Sequence, residues 1–237
     1  MNRTVLIFPV LPGKTEADIR RIADRFQADP EGYFESRRRA GVTLERAYWQ
    51  HTPMGDFIVG YGESDRSVMD VVGSWAEQAT ETDRFFVETV REIHGVDLTA
   101  VPEGPPPQTV GEWVDPEVTE RRQGMAFCAP MIPGQEDRGR AWAKEIYGQH
   151  ELALSRRAVT QNIEVVTLTE TPMGPLCGVY LEATDPAESN AVLAASTTPF
   201  DLAFKEELRA LFPPAVDFSQ PIPGVTEVFD SSVLPRT

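Results

Sequence analysis

The chain has 237 residues, of which 41% are hydrophobic and 9% aromatic, enough for one large packed domain or two small ones. Its formal net charge is −15, and its arginine groups at Arg20-Arg21 and Arg37-Arg38-Arg39 are surrounded by acidic residues. Because nucleic-acid binding needs clustered cations that replace counterions, this charge argues against a nucleic-acid partner.

The sequence also bears on where the protein works. No apolar run approaches the roughly 20 residues of a membrane span. The apolar stretch that ends at Pro9 has neither the length nor the cleavage site of a signal peptide. Two cysteines, Cys128 and Cys177, do not make the paired framework of a secreted domain. We therefore expect a cytoplasmic protein with no membrane partner.

The sequence contains an internal duplication. Thr52-Pro53-Met54-Gly55 recurs as Thr171-Pro172-Met173-Gly174. At the same offset, a Ser-Arg-Arg triplet precedes each copy and a Tyr-x-Glu triplet follows it. These triplets are Ser36-Arg37-Arg38, Ser155-Arg156-Arg157, Tyr61-Gly62-Glu63 and Tyr180-Leu181-Glu182. Three pairs of motifs at one offset indicate two copies of one structural unit.

The first unit reads strand, helix, strand, strand, helix, strand. Short runs rich in β-branched residues predict the strands, and apolar residues at helical spacing predict the helices. The predicted segments are a strand at 4–8, a helix from about Thr15, a helical piece at 31–39, hairpin strands at 42–51 and 56–63, a helix capped by Asp65, a helix at 82–94, an extended connection at 102–107 and a strand at 108–114.

The second unit repeats this order. In both units the Thr-Pro-Met-Gly segment predicts a hairpin turn, because proline presets φ early in a turn and glycine takes the positive φ that closes it. The predicted segments are a strand at 126–128, a helix around Trp142 and Ile146, hairpin strands at 163–170 and 176–182, helices that begin at Asp185-Pro186 and Thr198-Pro199, and a tail at 227–230 that matches 112–115.

Each unit therefore has the βαββαβ order of ferredoxin-like domains. Residues 1–115 form the first unit, 116–123 a linker and 124–237 the second unit. Such a unit carries its helices on one face of an antiparallel sheet, so its other face must be covered. We expect an α+β protein in which two tandem ferredoxin-like units pack sheet to sheet as an intramolecular α+β barrel. A monomer suffices for this arrangement, and exposed helices leave a homodimer open.

With these elements in place, the chain resembles the dimeric α+β-barrel superfamily. That group includes antibiotic-biosynthesis monooxygenases, small polyketide cyclases, stress-responsive barrel proteins and some haem-dependent enzymes. The Ser-Arg-Arg, Thr-Pro-Met-Gly and Tyr-x-Glu motifs look more narrowly like a bacterial family of such domains, in tandem and without an assigned activity. The resemblance implies the fold, and it implies no single activity because one scaffold supports unrelated chemistry.

The candidate site residues lie on the first hairpin. His51 precedes the turn, where a general base or a haem ligand is chemically reasonable, although hairpin ends are commonly solvated. Tyr48 and Trp49 alternate in direction, so only one of them can face a cavity between the units. Tyr61 lies on the partner strand. Aromatic side chains here either bind and position an aromatic substrate or pack in the core.

Other polar residues have structural explanations. His94 ends a helix, where a positive charge interacts favourably with the helix dipole. Arg37 and Arg156 lie near helix ends, where they either satisfy terminal carbonyls or bind an anion. Arg46 and Glu63 either line a cavity or alternate on a surface. Cys128 and Cys177 fall on neighbouring strands and are expected to be packed free thiols. The sequence has no metal-ligand spacing, phosphate loop, dinucleotide fingerprint or Ser-His-Asp signature.

Three functions remain open. The first is a cofactor-independent oxygenase, cyclase or isomerase for a hydrophobic or aromatic metabolite, with His51, Tyr48, Trp49 and Tyr61 in acid/base and positioning roles. Because Glu170 and Leu168 replace His51 and Trp49 in the second unit, its site is expected mainly in the first unit. The second is a non-catalytic ligand-binding or stress-response barrel. The third is a haem protein that uses His51 or His94. A small-molecule ligand or substrate is the expected partner in each case.

Overall fold

The computed structural model describes residues 1–100 and 104–235. Within this part of the chain, two four-stranded antiparallel sheets carry helices on their outer faces, which confirms the α+β class and the tandem ferredoxin-like units. The strands are β1 (Asn2–Pro9), β2 (Val42–Thr52), β3 (Gly55–Ser64), β4 (Gln108–Val114), β5 (Gln123–Pro130), β6 (Gln161–Thr171), β7 (Gly174–Ala183) and β8 (Val225–Asp230). The helices are α1 (Glu16–Ala28), α2 (Pro30–Ala40), α3 (Val68–Ala76), α4 (Glu81–His94), α5 (Glu136–Ile146), α6 (His150–Ala158), α7 (Pro186–Ala195) and α8 (Pro199–Leu211).

The two sheets exchange their last strands. The first sheet has the order β1-β3-β2-β8, and the second has the order β4-β6-β7-β5. β4 therefore pairs with β6 of the second unit, and β8 pairs with β2 of the first. The expectation that each unit completes its own sheet is wrong, because an equivalent strand from the other copy takes the edge beside β2 and β6. The unit boundaries at 115 and 124 describe the sequence repeat and stay a prediction. Each sheet combines strands from both units, so the sheets do not coincide with the repeat.

The predicted hairpins are confirmed. Thr52 faces Gly55 across the first turn, and Gly55 has φ +120°, as a closing glycine requires. The Thr52 hydroxyl donates to the Gly55 carbonyl at 2.7 Å and accepts from the Met54 amide at 3.1 Å. Thr171 makes the same two bonds in the second unit. The threonine thus closes the turn, a role that adds to those of proline and glycine.

Side-chain caps set the starts of several helices. Ser67, not Asp65, caps α3 and accepts from the Asp70 amide. Thr80 caps α4, and the Asp83 carboxylate accepts a hydrogen bond from the Thr80 amide at 3.0 Å.

Part of the extended connection predicted at 102–107 lies outside the described residues. None of the helices in 1–100 and 104–235 is long and apolar enough to cross a membrane.

The open faces of the two sheets pack against each other, as the one-sided helices require. Their shared core draws buried residues from both units, including Val5, Tyr48, Ala126, Val165 and Tyr180. Close approach of the sheets depends on small residues. A Cβ at Gly124 would lie 2.4 Å from the Tyr48 hydroxyl, and a Cβ at Gly178 would lie 2.8 Å from a Val5 methyl.

Side chains close the two seams between the sheets. The Gln50 amide bonds both backbone groups of Cys128 on β5, with distances of 2.7 Å and 3.2 Å. At the other seam, the Val5 amide of β1 donates to the Thr167 hydroxyl at 3.0 Å, and Thr109 donates to the Arg3 carbonyl at 2.7 Å. The unpaired edges of β1 and β5 are thereby satisfied, and the intramolecular barrel has no open edge at these points.

Candidate functional site

The two Tyr-x-Glu triplets meet at the centre of the barrel. The rings of Tyr61 and Tyr180 stack with centroids 3.6 Å apart and planes 4° from parallel. Each hydroxyl donates to the glutamate of its own triplet, to Glu63 at 2.6 Å and to Glu182 at 3.0 Å. Both carboxylates are buried. The repeated motif therefore forms an internal contact between the two units.

Three guanidinium groups compensate the buried carboxylates at this centre. Arg46 donates to Glu182 at 3.1 Å and lies 2.9 Å from Asp230, and Arg121 bridges Glu63 and Glu182. Arg3 donates to Glu63 at 3.1 Å. Burial by itself would raise the pKa of Glu63, but hydrogen bonds from Arg121 and Tyr61 outweigh it, and the pKa lies below its ordinary value. Each charged side chain of this network thus has an opposite charge beside it.

The four candidate residues from the hairpin do not converge on one cavity. Tyr48 and Tyr61 lie together in the core between the sheets, where burial raises the pKa of each phenol and keeps it protonated. Trp49 lies on the opposite face of β2, packed with Ile58 beneath the helices, as strand alternation predicts. His51 is 76% exposed, with Nδ1 2.6 Å from the Asp56 carboxylate. Their catalytic roles stay predictions.

In the part of the chain that the structure describes, each half has a cavity between its sheet and its helices. The first cavity has a volume of about 140 Å³ and lies between the first sheet and the helices α1, α3 and α4. Its walls are mainly apolar, with Phe8, Ile58, Val71 and Val90 among them. Val228 of the exchanged strand β8 completes the wall. An apolar space with few polar groups is the usual form of a small-molecule site.

His94 contributes a base to the first cavity. Its Nδ1 lies 2.9 Å from the Pro9 carbonyl, and because a carbonyl only accepts, Nδ1 carries the proton. Nε2 is then a free lone pair, and no described residue bonds to it. Burial lowers the pKa of His94, more than the Pro9 hydrogen bond raises it. The lowered pKa favours the neutral imidazole and argues against the dipole-stabilised cation expected at this helix end.

Trp75 also lines this cavity. Its indole N–H is buried and has no hydrogen-bond partner among the described residues. Trp75 packs edge-on against Phe86, with centroids 5.0 Å apart. Phe86 and His94 are eight residues apart on α4, or about 12 Å along its axis. Trp75 and His94 thus lie toward two ends of the cavity, and an elongated molecule could contact both.

The Ser-Arg-Arg triplets are structural anchors. The Arg37 guanidinium lies 4.8–4.9 Å from the ring centroids of four aromatic residues, Phe26, Tyr33, Trp75 and Phe86. It donates to Glu45 at 2.5 Å, and Tyr33 donates to the same carboxylate at 2.8 Å. Arg37 thus has its partners inside the protein and turns away from the carbonyls that end α2. Free anion binding at this arginine has no support in these contacts.

The second cavity has the same volume, about 140 Å³, and lies between the second sheet and the helices α5, α7 and α8. Arg156 donates to Glu164 at 2.5 Å and 3.1 Å, and Tyr147 donates to the same carboxylate. Arg156 thus repeats the role of Arg37. Lys205 donates to the Ala194 carbonyl at 2.9 Å. These polar groups are satisfied internally, and a neutral amide, Gln161, also lines the cavity.

The two cysteines lie on neighbouring strands, as predicted, and are free thiols. Cys128 packs in the core between the sheets, whereas Cys177 faces the second cavity. Burial raises the pKa of both thiols to about 12, which keeps them protonated. Opposite faces and protonated sulfurs both argue against a redox pair.

The residues do not fit a haem. His94 Nε2 has the lone pair that an axial ligand needs, but a cavity of about 140 Å³ is too small for a porphyrin. His51, the other candidate ligand, lies outside both cavities, exposed at the end of the hairpin. Within residues 1–100 and 104–235, no cluster of three or more histidine, cysteine or carboxylate side chains could hold a metal ion.

Neither a family model nor a curated protein sequence matches this chain. Three solved structures are similar in fold. A proposed monooxygenase from Lactobacillus acidophilus NCFM is 13% identical with a TM-score of 0.48, covering 98% of this chain and 95% of that one. A proposed monooxygenase from Fusobacterium nucleatum is 10% identical with a TM-score of 0.47, covering 95% and 88%. An anthrone oxidase-like protein is 11% identical with a TM-score of 0.47 and the same coverage. Likeness at this level carries no conclusion about activity.

Proposed function

We propose that this protein acts on a small, mainly apolar or aromatic molecule in the first cavity, and that His94 removes a proton from a carbon next to a carbonyl group of that molecule. One observation carries the proposal: the Pro9 carbonyl fixes the proton on Nδ1 of His94 and so makes Nε2 an acceptor, and His94 lines an apolar cavity. Trp75 offers an N–H to a substrate oxygen at the far end of an elongated molecule.

Proton removal is the first step shared by the cofactor-independent reactions expected from the sequence. The carbanion can take the proton back from His94 at another carbon, which is an isomerisation without a co-reactant. It can attack a carbonyl within the same molecule, which is a cyclisation. Oxidation needs dioxygen as the electron acceptor. A redox-neutral probe tests this proton transfer directly.

The substitution His94→Gln tests the base. We expect the protein to convert 3-cyclohexen-1-one into its conjugated isomer, which moves one proton from C2 to C4, and to catalyse deuterium exchange next to the carbonyl of β-tetralone. Loss of a general base should lower both rates by about 100-fold or more. Ultraviolet absorbance follows the first reaction and proton NMR the second. Equal rates in H94Q and the unchanged protein would rule out His94 as the base.

The matched substitution His51→Ala tests the alternative histidine. Because His51 is exposed and outside the first cavity, we expect H51A to keep the rate that H94Q loses. If H51A lost the rate and H94Q kept it, the catalytic base would be His51 on the hairpin. The pH dependence gives a second readout: since the pKa of His94 is lowered, the decline of kcat/KM with falling pH should have its midpoint below 6.5, the ordinary pKa of histidine. A midpoint above 6.5 would contradict a buried, neutral base.

A non-catalytic ligand-binding protein is the second candidate function. It is favoured by the Trp75 indole, a buried donor that can anchor a ligand oxygen without any proton transfer. In that case β-tetralone should bind in the first cavity without isotope exchange, and Trp75→Phe should weaken its binding while H94Q should not. Binding that is lost in H94Q together with exchange would favour the enzyme.

A further inference from the structure

The second cavity has a polar group that the fold does not use. Gln161 lines this cavity and is 1% exposed, and neither its amide nitrogen nor its amide oxygen has a hydrogen-bond partner among the described residues. Buried amides are nearly always paired, because removing them from water without a partner costs free energy. Both amide atoms of Gln161 are fully buried, so a ligand in the cavity reaches them once the side chain turns toward it, and the ligand then supplies the missing partners.

The other buried polar side chains around this cavity have partners. Glu164 accepts from Arg156 and Tyr147, and Lys205 donates to the carbonyls of Ala194 and Ser196. Asp201 accepts from three hydroxyl groups, of Ser155, Ser196 and Thr198. Among the buried polar residues that line the cavity in the described chain, only Gln161 is open at both ends.

The duplication supplies an internal comparison. Gln161 lies at a register shift in β6 between Gln161 and Ile163, and β2 has the same shift between Val42 and Leu44. Val42 lines the first cavity as Gln161 lines the second. The fold thus accepts valine at this position of the strand, so the backbone geometry does not require an amide there. The amide distinguishes the second cavity from the first.

The chemistry of the open amide defines a ligand class. It offers one acceptor and one donor side by side, which match an adjacent donor and acceptor on a ligand, such as a lactam or a carboxamide. Gln50 makes this paired contact with the backbone of Cys128 inside the same barrel. A carboxylate fits less well, because the cationic side chains of the cavity are already paired and a buried charge needs a partner.

The size of the cavity limits the ligand further. Its volume of about 140 Å³ is close to the 150 Å³ of an engineered apolar cavity that holds benzene. Trp142, Phe204 and Leu168 supply apolar surface for one ring. We propose that the second cavity is a separate binding site for a neutral one-ring ligand with a lactam or carboxamide group, held by both amide atoms of Gln161. This site does not depend on the proposed activity of His94.

Titration of the full chain with 2-pyridone, a one-ring lactam, and with benzene, its apolar counterpart, tests the proposal. We expect 2-pyridone to bind at least about tenfold more tightly than benzene, since two hydrogen bonds to a buried amide favour it. Dissociation constants can be measured by NMR, with the Gln161 side-chain amide and the Trp142 indole as reporters. Equal affinities, or shifts confined to the first cavity, would overturn the proposal.

Two substitutions remove the amide and keep an apolar side chain. In Gln161→Val, which copies Val42, and in Gln161→Met, which keeps an unbranched shape, 2-pyridone affinity should fall at least about tenfold while benzene affinity is retained or rises. Either variant suffices if the other fails to fold. Unchanged 2-pyridone affinity in a folded variant would show that the amide does not hold the ligand. Isomerisation by His94 should be unaffected, which separates this test from the test of the first cavity.

Discussion

Arg37 and Arg38 are neighbours in the chain with opposite surroundings. Arg37 is buried among aromatic rings, whereas Arg38 is exposed. The repeated triplet identified both as a motif, but a motif does not reveal which side chain turns inward. The helix period does, since Tyr33, Arg37 and Ala40 share the buried face of α2. The two histidines differ in the same way. His51 lies next to the repeated turn but is exposed, whereas His94 is buried by tertiary contacts that no local sequence motif indicates.

The pair of arginines gives a prediction about stability. Replacing Arg37 by Ala leaves Glu45 without its cation and opens a space between four rings, so we expect a loss of about 3 kcal/mol in the free energy of unfolding. Arg38→Ala, one residue later, should change stability by less than about 0.5 kcal/mol. Urea unfolding of both variants measures the difference. Similar losses would mean that the buried pair contributes little.

At the scale of strands and helices, local sequence signals were sufficient. Alternation, turn chemistry and capping predicted both hairpins and most helix ends, and Ser67 displaced Asp65 as a cap by only two residues. The role of the Tyr-x-Glu triplets could not be predicted in the same way. Tyr61 and Glu63 lie on one strand, but their stacking and ion-pair partners come from the other unit. The alternation of side chains along a strand predicts which residues share a face of the sheet, but it does not predict which part of the protein packs on that face.

Gly124 on β5 tests how closely the sheets must approach. A Cβ there would meet the Tyr48 hydroxyl, the Tyr180 ring and the Arg46 guanidinium, all within 2.8 Å. We expect Gly124→Ala to destabilise the fold by about 1 to 3 kcal/mol, the usual cost of overpacking. Gly62→Ala is the control, because nothing lies within 4 Å of a Cβ at that strand position. Thermal unfolding would contradict the argument if both variants behaved alike.

At the scale of the whole molecule, the sequence predicts the duplication but not the exchange of strands between the two sheets. The tails at 112–115 and 227–230 match each other in sequence, so either could pair beside β2 or β6. The similarity of the two tails therefore does not distinguish the exchanged arrangement from one in which each unit keeps its own last strand. This choice matters for the cavities, because Val228 of β8 lines the first and Val110 of β4 lines the second.

The exchange predicts how separated halves behave. Residues 1–115 alone lack β8, and residues 116–237 alone lack β4, so each fragment must fold its own last strand back beside β2 or β6 or leave that edge unpaired, and in either case the open face of its sheet is uncovered. We expect each fragment to be poorly folded or self-associated by circular dichroism and sedimentation, and the two together to form a 1:1 complex with native-like spectra. Two stable, independent monomers would contradict the need of each sheet for the other.

The exchange also has a consequence for how the chain is made. The backbone amide of Glu45 on β2 donates to the hydroxyl of Ser231, just after β8, a partner 186 positions further along the chain. At 5 to 20 residues per second, synthesis of that interval takes roughly 10 to 40 seconds. Until β8 is made, the nascent first sheet lacks the strand that covers the edge of β2 in the finished protein. We therefore expect the newborn chain to need protection from aggregation by a chaperone, and refolding from denaturant to lose yield steeply as protein concentration rises.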